Sequence, residues 1–350
     1  MSKSKYFSIL DSLTETDSKP ASPNDRVLLV DGLNTFIRAW TTSPVTNDDG
    51  VHVGGISGTL LSIGYAIKNI KPTRVIICFD GKGGSQRRRK LFPDYKATRR
   101  VKHRMTRINE FNSVDDERVA MAQQLQRLSQ YLEQLPITVM SIENIEADDA
   151  MAYISQQIYP KSQCILMSTD KDFLQLVDDR VQVWSPTKKK FYGRETISEE
   201  FSIESKNFLM YRVITGDSSD NIPGIRGAGT KTLMKRLPLL FDQDKVSLDN
   251  IFEYIEKNND GTKLAKDILD SKDILELNFK LMQLEDVDIS GRSKESINNI
   301  CSQDIPKLVK PNFMKMLLED SINMNIKNPE LWLKDTFSVL NTFALKGDNN

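Results

Sequence analysis

Three near-continuous apolar runs, each stopping at or just before an aspartate, limit what this chain can fold into more than any other feature. Arg26-Val-Leu-Leu-Val30 runs into Asp31, Arg74-Val-Ile-Ile-Cys-Phe79 into Asp80, and Gln163-Cys-Ile-Leu-Met167 into Ser168-Thr169-Asp170. Runs of about four to six apolar residues without alternation suit strands buried on both faces, as in a parallel sheet. Helical periodicity lies elsewhere, at about 56–70, 113–135 and 147–158. Strands alternating with helices predict an α/β layered fold. Ligands of open parallel sheets bind beyond the carboxyl ends of the strands, so the three aspartates should meet in space.

More acid surrounds them. Glu146-Ala-Asp148-Asp149 opens a predicted helix, Asp172 follows Asp170, and Asp217 and Asp220 flank two serines. An acid at a helix start is ordinarily a cap or a partner of the helix dipole. Eight aspartates and one glutamate at such places need more than capping, because like charges brought together repel unless cations compensate them. The chain has two histidines and three widely spaced cysteines, which excludes zinc spacing and a disulfide framework and suits a reducing compartment. Oxygen-only ligation points to hard ions, Mg²⁺ or Mn²⁺, and so many ligands point to two, as in phosphodiester hydrolysis. An aspartyl-nucleophile phosphatase would want a second aspartate two places after the first, but Gly32 and Leu33 follow Asp31. A glycosidase would use an isolated carboxyl pair.

Lys plus Arg (48) equals Asp plus Glu (48), so no uniform basic coat exists, and whether the charge is mixed or segregated is the informative question. From Gly81 to Arg107 there are eleven basic residues against one acid, Asp94, with Phe92 and Tyr95 interleaved. This segment begins beside a metal-ligand candidate and can hold phosphates near the ions. With little apolar material it is expected to order on binding. Pro93-Asp-Tyr-Lys96 could bring an ammonium and a stacking ring to the scissile phosphate. Farther on, Asn221-Ile-Pro-Gly224-Ile-Arg-Gly227-Ala-Gly229-Thr230-Lys231-Thr232 fails as a P-loop because its order is Gly-Thr-Lys-Thr. Its glycines suit either a packing corner or a turn between helices that offers backbone amides to a phosphate and carbonyls to a monovalent cation. Residues 1–25 read as a flexible tail, with one apolar cluster, Tyr6-Phe7-Ser8-Ile9-Leu10, suited to docking on its own globule or on a partner. No apolar run approaches 18 residues and no signal peptide is visible, which predicts a soluble intracellular protein.

Six stretches in order, Val30-Asp-Gly32, Phe79-Asp-Gly81, Arg88-Arg-Lys-Leu-Phe-Pro-Asp-Tyr-Lys96, Ile145-Glu-Ala-Asp-Asp149, Ser168-Thr-Asp-Lys-Asp172 and Gly216 to Gly229, make the chain resemble the 5′-nuclease superfamily of flap endonucleases, polymerase 5′-exonuclease domains and phage 5′-nucleases. The likeness covers roughly 26–290. Val183 to Lys190 and the helical extension look most like the T-even phage RNase H branch. The resemblance implies a PIN-like parallel-sheet nuclease core over 26–185 with a helical arch at about 82–113. A helix–three-turn–helix DNA-binding region over 186–290 and a helical C-terminal extension over 291–350 would follow.

By position, Asp31, Asp80, Glu146, Asp148 and Asp149 look like the first metal cluster, some through water, and Asp170, Asp172, Asp217 and Asp220 like the second. Lys96 matches the arch lysine acting at the scissile phosphate, and Arg87, Arg88 and Arg89 cover the arch arginine. Lys90, Tyr95 and Arg99 join the DNA-binding set. Gly224, Gly227 and Gly229, with Thr230 and Lys231, match the turn that binds DNA and K⁺. The activity implied is a two-metal 5′→3′ exonuclease and flap endonuclease on DNA and on RNA of RNA–DNA hybrids, removing primers in phage-type replication as a monomer in the host cytoplasm. Implied partners are a sliding clamp, for which Tyr6, Phe7, Ile9 and Leu10 are the candidate contact, and a single-strand-binding protein. The alternative is a non-cleaving branched-DNA module that recruits replication proteins, against which the complete carboxylate set argues.

Overall fold

The computed structural model describes residues 22–97, 111–242, 244–258, 261–322 and 325–346. The three aspartate-terminated runs form β1 (Arg26–Asp31), β2 (Arg74–Asp80) and β4 (Gln163–Met167), joined by β3 (Thr138–Ile142), β5 (Val181–Ser185) and β6 (Lys190–Tyr192). The sheet order is β3-β2-β1-β4-β5-β6. All pairings are parallel except β5 with β6. From β1 the chain steps outward through β2 to β3, then crosses to the other side of β1 for β4 and β5. The reversal between β1 and β4 leaves a crevice beyond their carboxyl ends, the place where such sheets bind ligands.

Both faces are buried, which explains the unbroken apolar runs. Val27, Leu29, Ile76, Cys78, Cys164, Leu166, Val181 and Val183 point into one apolar cluster. Leu28, Val30, Val75, Ile77, Ile165, Met167 and Trp184 point into the other. The second face is covered by α1 (Gly32–Thr42), α2 (Gly54–Ile70) and, beyond the short α3 (Gln86–Leu91), by α4 (Val114–Leu132). The first is covered by α5 (Ala147–Tyr153), which widens into a π turn at Ile154–Ile158. That cluster continues through α6 (Arg194–Phe201), α7 (Ser205–Thr215), α8 (Thr230–Arg236), α9 (Leu248–Asn258), α10 (Lys263–Asp270), α11 (Lys272–Met282) and α12 (Gly291–Ser302).

Two features depart from the expected organisation. The sheet runs past 185, because Phe191 and Tyr192 bury against the core and pair back on β5, a strand hidden in sequence by the run Lys188-Lys189-Lys190 in which it begins. The last stretch also returns to the sheet. In α13 (Lys310–Glu319) and α14 (Pro329–Lys346), Phe313, Leu317, Leu333, Phe337 and Leu340 share the cluster of Leu28 and Val30. Each such side chain contributes roughly 1.5–3 kcal/mol on burial. Trp332 lies so close to Gly64 that an added Cβ would stand 2.9 Å from its ring. No described helix is long and apolar enough to cross a membrane.

Candidate active site

Each strand-end carboxylate is held by a local bond that fixes its direction. Asp31 caps α1, accepting from the Asn34 amide at 3.0 Å and from Ser168 Oγ at 3.1 Å. Ser168 Oγ also accepts from the Asp170 amide at 3.1 Å, so one hydroxyl ties the ends of β1 and β4 together. Asp80 accepts from the Ala147 amide at 2.8 Å, drawing the start of α5 to the end of β2. Gly81 makes that approach possible, since a Cβ there would collide with the Ile142 carbonyl. Asp170 accepts from the Asp172 amide at 2.8 Å and opens the 3₁₀ turn Lys171–Leu176.

These groups converge. Ligand oxygens of Glu146, Asp148 and Asp149 lie within 4.8 Å of one another. Asp31 feels the charges of Asp80 and Asp170, Asp80 those of Asp148 and Glu146, and Asp170 those of Asp148 and Asp217.

The cations that compensate part of this charge belong to the chain itself. Arg88, only 2% exposed, pairs with Glu146, spans both Asp149 oxygens at 2.8 Å each, and donates to the Leu281 carbonyl at 2.8 Å. Arg87 reaches Asp149 at 3.3 Å. Lys96 Nζ pairs with Glu146 Oε1 at 2.5 Å. Arg212, at the end of α7, bridges Asp172 at 2.8 Å and Asp217 at 2.5 Å. Repulsion among the nine acids is therefore a weaker argument for bound metal than the sequence suggested.

What remains is the strand-end set: among the described residues Asp31, Asp80 and Asp170 have no ion-pair partner. Burial, then the neighbouring Asp80 and Asp170 charges, pushes the Asp31 carboxyl up to about 7. Burial raises Asp80 and Asp170 as well. Asp172 rises to about 7 and Asp149 to about 6, in both through burial, with Asp170 adding to the first and Asp148 to the second. In Asp148 burial is outweighed by Arg88 and Lys96, and in Asp217 by Ser219 and Arg212, so both titrate below the usual range. An all-oxygen donor set with its unpaired members pushed towards protonation fits a hard divalent cation, whose charge restores the ionised form.

A pH dependence follows. Between the unfolded carboxyl value near 4 and the folded value of about 7 for Asp31 and Asp172, the native state binds more protons, so its stability falls as pH rises through that window. The metal-free protein is expected to melt several degrees higher at pH 6 than at pH 8, and Mg²⁺ should close the gap. Thermal melts in chelator and in Mg²⁺ check this; higher stability at pH 8 without metal would contradict it.

The basic segment differs from its expected form. Over residues 82–97 the chain folds around α3. Arg88 is buried and so is not open to substrate, whereas Arg89 and Lys90 are exposed. Tyr95 is 2% exposed with its hydroxyl 3.3 Å from Glu146, so its ring is not open to a base. Arg99 lies outside the described residues, as do Tyr6, Phe7, Ile9 and Leu10. Arg212 is a residue of the candidate site that sequence reasoning misses; a lone arginine in a helix carries no signal beyond standing five residues before Asp217.

The glycine turn packs at one end and is open at the other. Gly216 (φ 70°) and Gly224 meet backbone to backbone, and buried Asn278 on α11 donates to the Val213 and Pro223 carbonyls at 2.9 and 2.7 Å. Gly227 (φ 82°) and Gly229, the residue before α8, have open space where a Cβ would stand. Thr230 Oγ1 lies 2.9 Å from Tyr211 Oη, and Lys231 is exposed. Asp220 is 6% exposed, and its carbonyl accepts from the Lys96 amide at 3.0 Å.

A family model described as 5′-3′ exonuclease, N-terminal resolvase-like domain, matches residues 26–202. A 5′-3′ exonuclease of Bacillus subtilis is 29% identical over 270 residues, 75% of this chain and 83% of that protein. The flap endonuclease Xni of Shewanella sediminis is 29% identical over 263 residues, 74% and 91% of the two chains. Among solved structures, the bacteriophage T5 flap endonuclease, in a pseudo-enzyme–product complex with DNA and metal ions, has the same fold. It superposes with a TM-score of 0.60 at 21% identity, covering 85% of this chain and 99% of that one.

Proposed function

Because this chain belongs to the 5′-3′ exonuclease N-terminal resolvase-like domain family, we propose that it is a structure-specific 5′→3′ exonuclease and flap endonuclease, a metal-dependent phosphodiester hydrolase acting on DNA. The observation that carries this is the convergence of Asp31, Asp80 and Asp170 from three strand ends on the carboxylates that open α5. Divalent ions bound there supply water activation and stabilisation of the departing oxygen. Asp31, Asp80, Glu146, Asp148 and Asp149 would hold one ion and Asp170, Asp172, Asp217 and Asp220 the other, some through water. Mg²⁺ or Mn²⁺ suits the oxygen set.

Lys96 and Arg87 stand where they can take the scissile phosphate, and exposed Arg89 and Lys90 neutralise the flanking backbone, so binding should weaken steeply with salt. Arg88 acts by positioning the carboxylates. The open end of the glycine turn, with Thr230 and Lys231, offers amides to duplex phosphates and carbonyls to a K⁺ ion. A PIN-like core with its arch then grips branched or 5′-ended duplexes and RNA–DNA hybrids through a helix–three-turn–helix region that follows the last strand and runs to about 290. The chain works as a monomer of the T-even phage RNase H type, removing primers in the host cytoplasm.

The direct test is a 5′-labelled flap duplex incubated with and without Mg²⁺: products near the junction that require the metal are expected. Tight binding with no cleavage at any metal concentration would favour the recruiting module. A separate test concerns partners. Deleting residues 1–12 should abolish stimulation by a sliding clamp while leaving basal cleavage intact; unchanged stimulation would remove Tyr6–Leu10 as the contact.

A further inference from the structure

Glu146 has both carboxylate oxygens engaged: Oε1 by Lys96 at 2.5 Å, Oε2 by Arg88 and by Tyr95 Oη at 3.3 Å. A divalent ion entering the cluster through Glu146 must therefore open one of these contacts. Arg88 cannot yield easily, since it is 2% exposed and anchored by both Asp149 oxygens and the Leu281 carbonyl. Lys96 can, because its side chain is 15% exposed and, among the described residues, forms its ion pair with Glu146 alone. Its backbone is also strained. Lys96 has φ 54°, a left-handed geometry that a residue with a Cβ adopts only at a cost. It is held there by its amide on the Asp220 carbonyl and by Asn221 Nδ2 on the Asp94 carbonyl at 2.9 Å. The segment is thus pinned at Asp94 and Lys96, with its ammonium parked on a ligand of the metal cluster.

We propose that Lys96 is an internal counter-cation that competes with the divalent ion for Glu146 and couples metal binding to substrate binding. In the absence of substrate, metal must displace the ammonium, leaving a half-buried cation without its partner. A phosphate at the site gives Lys96 a replacement partner and frees Glu146. Bound metal, conversely, frees Lys96 for the phosphate. The two ligands then bind cooperatively, and linkage requires the gain to be equal in both directions. This rests on the divalent-cation reading of the cluster, and the experiment below separates the two.

The test is calorimetric titration of Ca²⁺, a hard cation used to read binding rather than turnover, into the full chain alone and into its complex with a 5′-phosphorylated flap duplex. Wild type should bind Ca²⁺ about tenfold more tightly in the complex. Lys96→Met should bind it about tenfold more tightly than wild type without DNA and gain little more from DNA. Lys96→Arg should keep the wild-type pattern. Lys82→Met, the same charge change at an exposed lysine, should leave Ca²⁺ affinity without DNA near the wild-type value. Equal or weaker Ca²⁺ binding by Lys96→Met without DNA overturns the proposal, as does an equal gain from Lys82→Met. If instead Asp148→Asn binds Ca²⁺ as wild type does, the cation site itself is misplaced and the competition falls with it.

Discussion

Replacing Asp170 and Asp172 together by asparagine is expected to lower cleavage of a 5′-flap duplex by at least about a thousandfold, a size typical of losing preorganised electrostatic stabilisation at a reacting centre. The protein should remain folded. Both carboxyls are raised by burial, Asp170 further by the charges of Asp148 and Asp217 and Asp172 further by that of Asp170, so neutral side chains of the same shape relieve repulsion in the metal-free state. The amide oxygen introduced at 170 can still accept from the backbone at 172, as Asp170 does at 2.8 Å. The one introduced at 172 can still accept from Arg212. A melting temperature equal to or above that of wild type at pH 8 in chelator, together with lost cleavage, would place the chemistry on these carboxylates. Cleavage within about tenfold of wild type would remove them from the reaction. If wild type and variant both bind the flap tightly and neither cuts, the chain is a recruiting module and its acids serve something other than hydrolysis.

The carboxylates of the site are the part of it that the amino-acid order makes legible. Asp31, Asp80 and Asp170 can be placed because the end of a parallel strand is one of the few positions where local sequence dictates location in the fold. Glu146 to Asp149 read as a helix start, and the helix does begin at Ala147. The counter-charges do not read out in this way. Arg87, Arg88 and Arg89 stand about 100° apart on one short helix, so one must turn inward, but composition presents all three as a single basic patch. Which one turns in is decided by the Leu281 carbonyl and the Asp149 carboxylate, 193 and 61 residues away. Tyr95 fails as a stacking ring for the same reason: its sequence neighbours are polar, while its spatial neighbours form the floor of the acidic cluster. The spacing of Phe313 and Leu317, and of Leu333, Phe337 and Leu340, is that of helical faces. The sheet face they cover is supplied by residues nearly three hundred positions earlier.

The buried arginine carries the second large effect. Arg88→Met should cost about 3–5 kcal/mol at pH 8, the scale of breaking a buried ion pair from one side, and lower the melting temperature by about 5–10 °C. The cost arises because Glu146 and Asp149, each 2% exposed, would stay behind with only Lys96 and the 3.3 Å contact of Arg87 to balance them. Its pH dependence distinguishes lost charge from lost packing. Asp149 already titrates at about 6 beside Arg88, and without the guanidinium it must rise further. The variant should therefore recover stability as pH falls from 8 to 5.5, where Asp149 takes up a proton. A packing defect would give the same deficit at every pH. Mg²⁺ should also restore stability at pH 8, since the ion replaces part of the missing charge. Were the melting temperature unchanged at pH 8, the network would be contributing specificity rather than stability. The link from the glycine turn through Asn278 and the Leu281 carbonyl to the carboxylates would then have to be read in metal affinity alone.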